Sequence, residues 1–273
     1  MMNDQPRMDE ETIAALLALA HEAGQAILRI GADQLGVREK DDRSPVTMAD
    51  QAAQQVIIEG LCRLFPAVPI ISEECGVPPF AARRGWPHCF LVDPLDGTKE
   101  FLAGGTDYTV NIALVVRGEP VFGVVLAPRG GVVYYGGPGQ GAWVRRVGQD
   151  AEAICVRHID PKAMVAVASR SHGSAAVEQY LGRLPLKERI NIGSSLKFCL
   201  VAEGKADVYP RFSPTSEWDT AAAHAVLLGA GGQVTDLHRK SLAYNKENLL
   251  NPSFLAYGDA SCDWHAALDA SLF

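Results

Sequence analysis

Apolar residues recur at three- and four-residue steps near the start of the chain, where Ile13, Leu16, Leu17, Ala20, Ala23 and Ile27 follow the acidic Asp9-Glu10-Glu11. That period predicts a helix over 9–30, ended by Gly31 and Gly36. A second helix is expected from Thr47, where Thr47-x-x-Asp50 has the form of a capping box, through Val56, Ile57, Leu61 and Leu64 to Pro66. The period then shortens. Residues 68–72 and 89–92 are apolar runs of strand length that lead into Glu73 and Asp93, so both acids are expected at strand ends. Between 108 and 147, four apolar runs (108–116, 121–127, 132–135 and 142–147) alternate with Gly- and Pro-rich turns, the pattern of an antiparallel meander.

After a polar link at 151–161, strands at 164–168, 207–209, 233–236 and 254–257 alternate with helices at 175–184, 195–203 and 219–228. This half reads as α/β. The change of pattern puts a soft boundary near 155. Residues 1–155 supply N-terminal helices, an antiparallel sheet and most of the candidate ligands, and residues 156–273 form an α/β half that completes the site. There is no internal repeat and no biased segment.

Composition narrows the classes. With 48% apolar and 21% charged residues over 273 positions, the chain is an ordinary globular protein and neither disordered nor fibrous. Its 25 basic and 32 acidic residues leave a net charge of −7, which offers no attractive field to a nucleic-acid polymer. The six cysteines (62, 75, 89, 155, 199 and 262) form no C-x-x-C pair and read as reduced thiols. The polar, acidic first residues lack the order of a signal peptide, and no run reaches 18 apolar residues. A cytoplasmic protein without an integral membrane segment is the expectation.

The string Asp93-Pro94-Leu95-Asp96-Gly97-Thr98 carries the chemistry: an apolar strand ends in two carboxylates around a sharp turn. Like charges a few ångströms apart repel by about 4 kcal/mol at an effective dielectric near 20, so such a cluster takes up protons or holds a cation. Carboxylates, with Glu73 as a third, plus a carbonyl and waters make a hard-oxygen site that suits Mg²⁺. Gly97 allows close approach of a ligand, and the amides of Gly97 and Thr98, if they open a helix, face a phosphate. The D-x-D-G-T motif of haloacid dehalogenase phosphatases differs in register, since the two Asp here are three residues apart. Capping turns by Asp93 and Asp96 is the plainer reading of one Asp in a loop. Two of them with Gly-Thr and with Glu73-Glu74 upstream favour metal.

These strings, with Glu217-Trp218-Asp219-Thr220-Ala221-Ala222, resemble the inositol monophosphatase superfamily of magnesium-dependent, lithium-sensitive phosphatases. Five further segments resemble its bisphosphate nucleotidase branch: Ser44-Pro45-Val46-Thr47 with Asp50, Lys99-Glu100-Phe101, residues 109–114, Ser169-Arg170-Ser171-His172, and Gly193-Ser194-Ser195-Leu196-Lys197-Phe198. The resemblance implies a layered αβαβα sandwich, with the N-terminal helices on the meander and the metals between the halves. It implies that Glu73, Asp93 and the Leu95 carbonyl hold one Mg²⁺ and that Asp93, Asp96 and Asp219 hold a second, with a looser third ion shared by Glu73 through water. Thr98 is then the residue that orients the attacking water, with Asp50 as its partner. On residues alone Asp50 also reads as the closing member of its capping box, and Asp219 as an acid favoured at a helix start. Trp218 reads as packing.

Substrate choice rests on residues outside the acidic core. Arg170, His172 and Lys197 are candidate donors to a second phosphate, with Ser169, Gly193 and Ser194 beside them and Asp96, Gly97, Thr98 and Asp219 at the first. Arg211 is a weaker candidate, and Lys40 resembles a family loop lysine; each of these cations also reads as a solvated surface charge. The resemblance implies hydrolysis of the 3′-phosphate of adenosine 3′,5′-bisphosphate to AMP in sulfur assimilation, by a monomer or homodimer, in the cytoplasm or peripheral at the inner membrane. An inositol- or sugar-phosphate monophosphatase is the alternative. A regulatory protein that kept the fold and lost catalysis ranks last, because Glu73, Asp93, Asp96, Thr98 and Asp219 are all present.

Overall fold

Asp9 caps the first helix by accepting from the Thr12 amide at 2.9 Å, and the apolar stripe behind it, Leu16, Leu17, Ala20, Ala23 and Ile27, is buried. The computed structural model describes residues 8–30, 36–39, 45–170 and 173–269; Gly31 lies outside them. In chain order the elements are α1 (Glu10–Arg29), β1 (Arg38–Glu39), β2 (Pro45–Val46), α2 (Met48–Leu64), β3 (Ile70–Ser72), α3 (Phe80–Arg83) and β4 (His88–Asp96). Then follow α4 (Thr98–Leu102), β5 (Thr109–Val116), β6 (Glu119–Ala127), β7 (Val132–Gly137), β8 (Gly141–Arg145) and β9 (Glu152–Ile154). The last third holds β10 (Met164–Ser169), α5 (Ala175–Leu181), β11 (Leu186–Ile192), α6 (Leu196–Ala202), β12 (Val208–Arg211), α7 (Glu217–Gly229), β13 (Gln233–Asp236) and β14 (Phe254–Tyr257).

Strands β3 to β9 form one seven-stranded sheet in sequence order, antiparallel except for the β3–β4 pair. A second, mixed sheet runs β11-β10-β12-β14-β13. Strand alternation then dictates the layers. In β4, Phe90 and Val92 join the α1/α2 side, while Cys89 and Leu91 point into the core between the sheets. In β10, Val165 and Val167 enter that same middle core, and Met164, Ala166 and Ala168 pack with α5 and Trp264 on the far side. Helices α6 and α7 fill the middle, which gives five layers, αβαβα, as the family resemblance implies. The middle core draws residues from both sides of position 155. Among the described residues, no helix is long and apolar enough to cross a membrane.

Besides the short β1, β2 and α3, which the pattern does not announce, three departures from expectation matter for the sheets. Strand β4 continues past Val92 to Asp96, so Asp93 and Asp96 are still paired to β5. The 151–161 link contains edge strand β9. Leu186–Ile192, with Lys187, Glu188 and Arg189, is the other sheet's edge strand; its charges blunt the open edge and hide the period-2 signal.

Candidate active site

The acids converge because three element ends meet at one spot. Glu73 follows β3, and its amide is tied to the Val92 carbonyl of β4 at 3.2 Å. The β4–β5 ladder pairs Asp93 with Asn111 and Asp96 with Thr109, with a register irregularity between them where Pro94 cannot donate. Gly97 then turns at φ +92°, and a Cβ there would lie 3.0 Å from the Asp107 carbonyl, so only glycine fits before α4. Asp219 stands in the first turn of α7, where its Oδ2 accepts from the Ser216 amide at 2.8 Å. Glu73, Asp93 and Asp219 each offer an oxygen within 4.8 Å of the others. Asp96 and Leu95 flank this cluster; the Leu95 carbonyl lies 3.2 Å from Thr98 Oγ1.

Burial pushes the Asp93 and Asp219 carboxyls well above the usual carboxylate range, and their acidic neighbours push the same way. Asp96 is raised too, chiefly by burial. Among the described residues, none of the three is ion-paired with a basic side chain. Carboxylates that crowd one another with no directly paired base, and with only Lys197 pulling Asp96 and Arg211 pulling Asp219 the other way, fit a hard divalent cation.

Asp50 serves two ends. Its Oδ2 accepts from the Thr47 amide (2.7 Å) and hydroxyl (2.6 Å), closing the capping box of α2, and its Oδ1 faces Thr98 Oγ1 at 3.2 Å. The capping and partner readings therefore hold together in one carboxylate. Burial raises its pKa, opposed by these hydrogen bonds.

A single pocket is lined by Glu73, Asp96, Gly97, Thr98 and Asp219 on its acidic side and by Ser169, Ser194, Lys197 and Arg211 elsewhere. Lys197 is no surface charge: it is 6% exposed, donates to the Ser194 carbonyl at 2.5 Å, and sits over the Tyr209 ring. Burial brings its ammonium down to about 8, against the pull of Asp96. Arg211 is also buried and holds the Ser213 and Pro214 carbonyls. Gly193 and Arg170 are placed differently from expectation. The Gly193 amide is spent on Asp107 Oδ2 (3.2 Å), and Arg170 pairs with that same oxygen at 2.9 Å, outside the pocket wall. His172, Ser44 and Lys40 lie outside the described residues.

Two polar residues gain importance only from the structure. Ser195 Oγ lies 2.6 Å from the Asp219 carbonyl and 3.2 Å from Asp96 Oδ2, and it accepts from Asn111 Nδ2 at 2.9 Å. This relay joins β5, α6 and α7 behind the acids. Both residues lie in segments that resemble the nucleotidase branch, 109–114 and 193–198, but only the long-range pairing brings them together. Trp218 packs against the middle core, as expected.

The 3'(2'),5'-bisphosphate nucleotidases CysQ of Salmonella typhimurium and of Escherichia coli K12 are each 48% identical to this chain over 239 residues, covering 86% of it and 95% of the relative. The crystal structure of CysQ from Bacteroides thetaiotaomicron, described as a bacterial member of the inositol monophosphatase family, superposes with a TM-score of 0.80 at 38% identity, covering 92% of this chain and 98% of that one. The family model for inositol monophosphatases matches residues 8–267, a span that takes in every acidic strand end and helix start of the pocket, and the chain belongs to the inositol monophosphatase family.

Proposed function

We propose that this chain hydrolyses the 3′-phosphate of adenosine 3′,5′-bisphosphate to AMP and phosphate, using Mg²⁺ held by Glu73, Asp93, Asp96, Asp219 and the Leu95 carbonyl. The observation that carries the reading is one pocket lined both by clustered carboxylates and by the buried cations Lys197 and Arg211. A substrate with two phosphates uses both. The relatives named bisphosphate nucleotidases, matched over nearly their whole length, support the same choice.

When bound, the divalent cations supply Lewis acidity toward the phosphoryl oxygens and lower the pKa of nearby water. The residues do the positioning. Thr98 Oγ1 donates to Asp50 Oδ1, which leaves its lone pairs aimed to accept a hydrogen bond from the attacking water. Asp50 is locked for that purpose by its two bonds from Thr47. Ser195 braces Asp96 and the start of α7, so the two ligand-bearing elements keep their separation. Lys197 and Arg211 receive the second phosphate and orient the ribose ester in line with the water.

Phosphate release measured side by side on adenosine 3′,5′-bisphosphate, inositol 1-phosphate and fructose 1,6-bisphosphate, with Mg²⁺ and with excess chelator, tests this. A preference for the nucleotide of at least tenfold in kcat/KM, lost in chelator, is expected. A preference for inositol 1-phosphate overturns the substrate, and undiminished turnover in chelator overturns the chemistry.

A further inference from the structure

The clasp behind the acidic cluster involves two charged residues that no step above uses. Arg83 lies on α3, in the connection that runs from Glu73 to the acid-bearing strand β4. Glu217 opens α7 two residues before Asp219, and at that helical spacing the two carboxylates leave the helix on different sides, Asp219 into the pocket and Glu217 into the interior. Both Arg83 and Glu217 are buried.

They grip the same short segment, 245–247. Arg83 donates from Nη1 to Asn245 Oδ1 (2.9 Å) and the Lys246 carbonyl (2.5 Å), and from Nη2 to the Glu247 carbonyl (2.9 Å). Asn245 Nδ2 answers to the Arg83 carbonyl at 2.9 Å. Glu217 accepts from the Asn245 amide (2.5 Å), the Lys246 amide (3.0 Å) and Lys246 Nζ (2.5 Å). Asn245 stands at φ +59°, a left-handed conformation that lets two successive amides point into one carboxylate. The segment is thus a strut from the β3–β4 connection to the first turn of α7, held at one end by Arg83, more than 160 positions before it in the chain.

We propose that Arg83 and Glu217 are positioning residues which, through segment 245–247, hold Asp219 at its distance from Glu73 and Asp93 and so set the affinity of the site for a divalent cation. A rigid ligand set binds more tightly than one that must be gathered, because the ordering cost has already been met in folding. Asp219 belongs to a helix and the other acids to strand ends, so rotation or sliding of α7 opens the cluster. The clasp touches the segments that carry both sides.

The proposal rests on the reading of the acidic cluster as a divalent-cation site, and the test separates the two. Mg²⁺ is titrated calorimetrically into metal-free wild type, Arg83→Gln and Asn245→Gly, with circular dichroism as the check of fold. Asn245→Gly removes two side-chain hydrogen bonds, keeps the left-handed backbone and leaves the grip of Glu217, so it carries the test should Arg83→Gln fail to fold. The expected result is a Mg²⁺ dissociation constant raised about tenfold in the variants. Their turnover should recover when Mg²⁺ is raised in proportion, with substrate KM at saturating Mg²⁺ within twofold of wild type. A lower melting temperature with an unchanged Mg²⁺ constant overturns the proposal and leaves the clasp purely structural. No uptake of Mg²⁺ by the wild type overturns the site reading itself.

Discussion

Asp93 and Asp50 are both buried acids within one site, yet their surroundings predict opposite consequences for substitution. Asp93 sits among carboxylates that push its pKa upward, so Asp93→Asn relieves repulsion in the metal-free protein. Its melting temperature without metal should equal or exceed that of wild type. Its turnover should fall by about three orders of magnitude, equivalent to roughly 4 kcal/mol of lost transition-state stabilisation. Asp50 instead satisfies three donors. Asp50→Asn keeps acceptor capacity toward Thr47 but weakens the hold on Thr98, so a stability loss of about 1 kcal/mol and a drop in kcat of about 10²-fold are expected, with KM little changed. Denaturant melts beside steady-state kinetics check both; unchanged turnover in Asp50→Asn would reduce it to a helix cap.

Among the elements, α7 decides the site because it lies directly on the seven-stranded sheet. Ala221, Ala222 and Ala223 let it come close, and the sheet answers with glycine: a Cβ on Gly123 would stand 2.0 Å from the Ala222 carbonyl. On the helix, Gly229 meets Gly141 in the same way, with a Cβ 2.5 Å from that carbonyl. Gly123→Ala therefore forces α7 outward. A loss of about 2–3 kcal/mol in urea unfolding is expected, and the displaced Asp219 should weaken Mg²⁺ binding as well. A midpoint equal to wild type would show that the helix has slack the close approach denies.

At the scale of the whole molecule, the layer of α6 and α7 between two sheets buries titratable groups that water never reaches. His224 is fully buried, bonded at Nδ1 to the Tyr244 hydroxyl at 2.8 Å, and burial lowers its pKa to about 3. In the unfolded chain it titrates near 6.5. Between those values the unfolded state binds the extra proton, so this residue's contribution falls as pH drops below about 6.5 and is intact above it. From pH 7 to pH 5 the loss attributable to His224 is about 2 kcal/mol. The difference in unfolding free energy between wild type and His224→Gln, followed over that range, should shrink by this amount. A constant difference would mean that the ring protonates while folded.

Much of this protein is legible along the chain because the signals are local. The amphipathic period of α1, the Thr47 capping box and the apolar runs into Glu73 and Asp93 depend on residues a few positions apart, and the acid-turn-glycine string announces its chemistry through unavoidable repulsion. The family strings add the expectation of five layers, and the fold agrees. What stayed hidden depends on partners distant in sequence: Ser195 beside Asp96, the capture of Gly193 and Arg170 by Asp107, and the Arg83–Glu217 grip on segment 245–247. Lys197 shows the reason most simply. An ammonium next to a helix start looks solvated until packing removes the water, and only the closing of Tyr209 and the neighbouring layer over it turns a surface cation into a buried one facing a phosphate pocket.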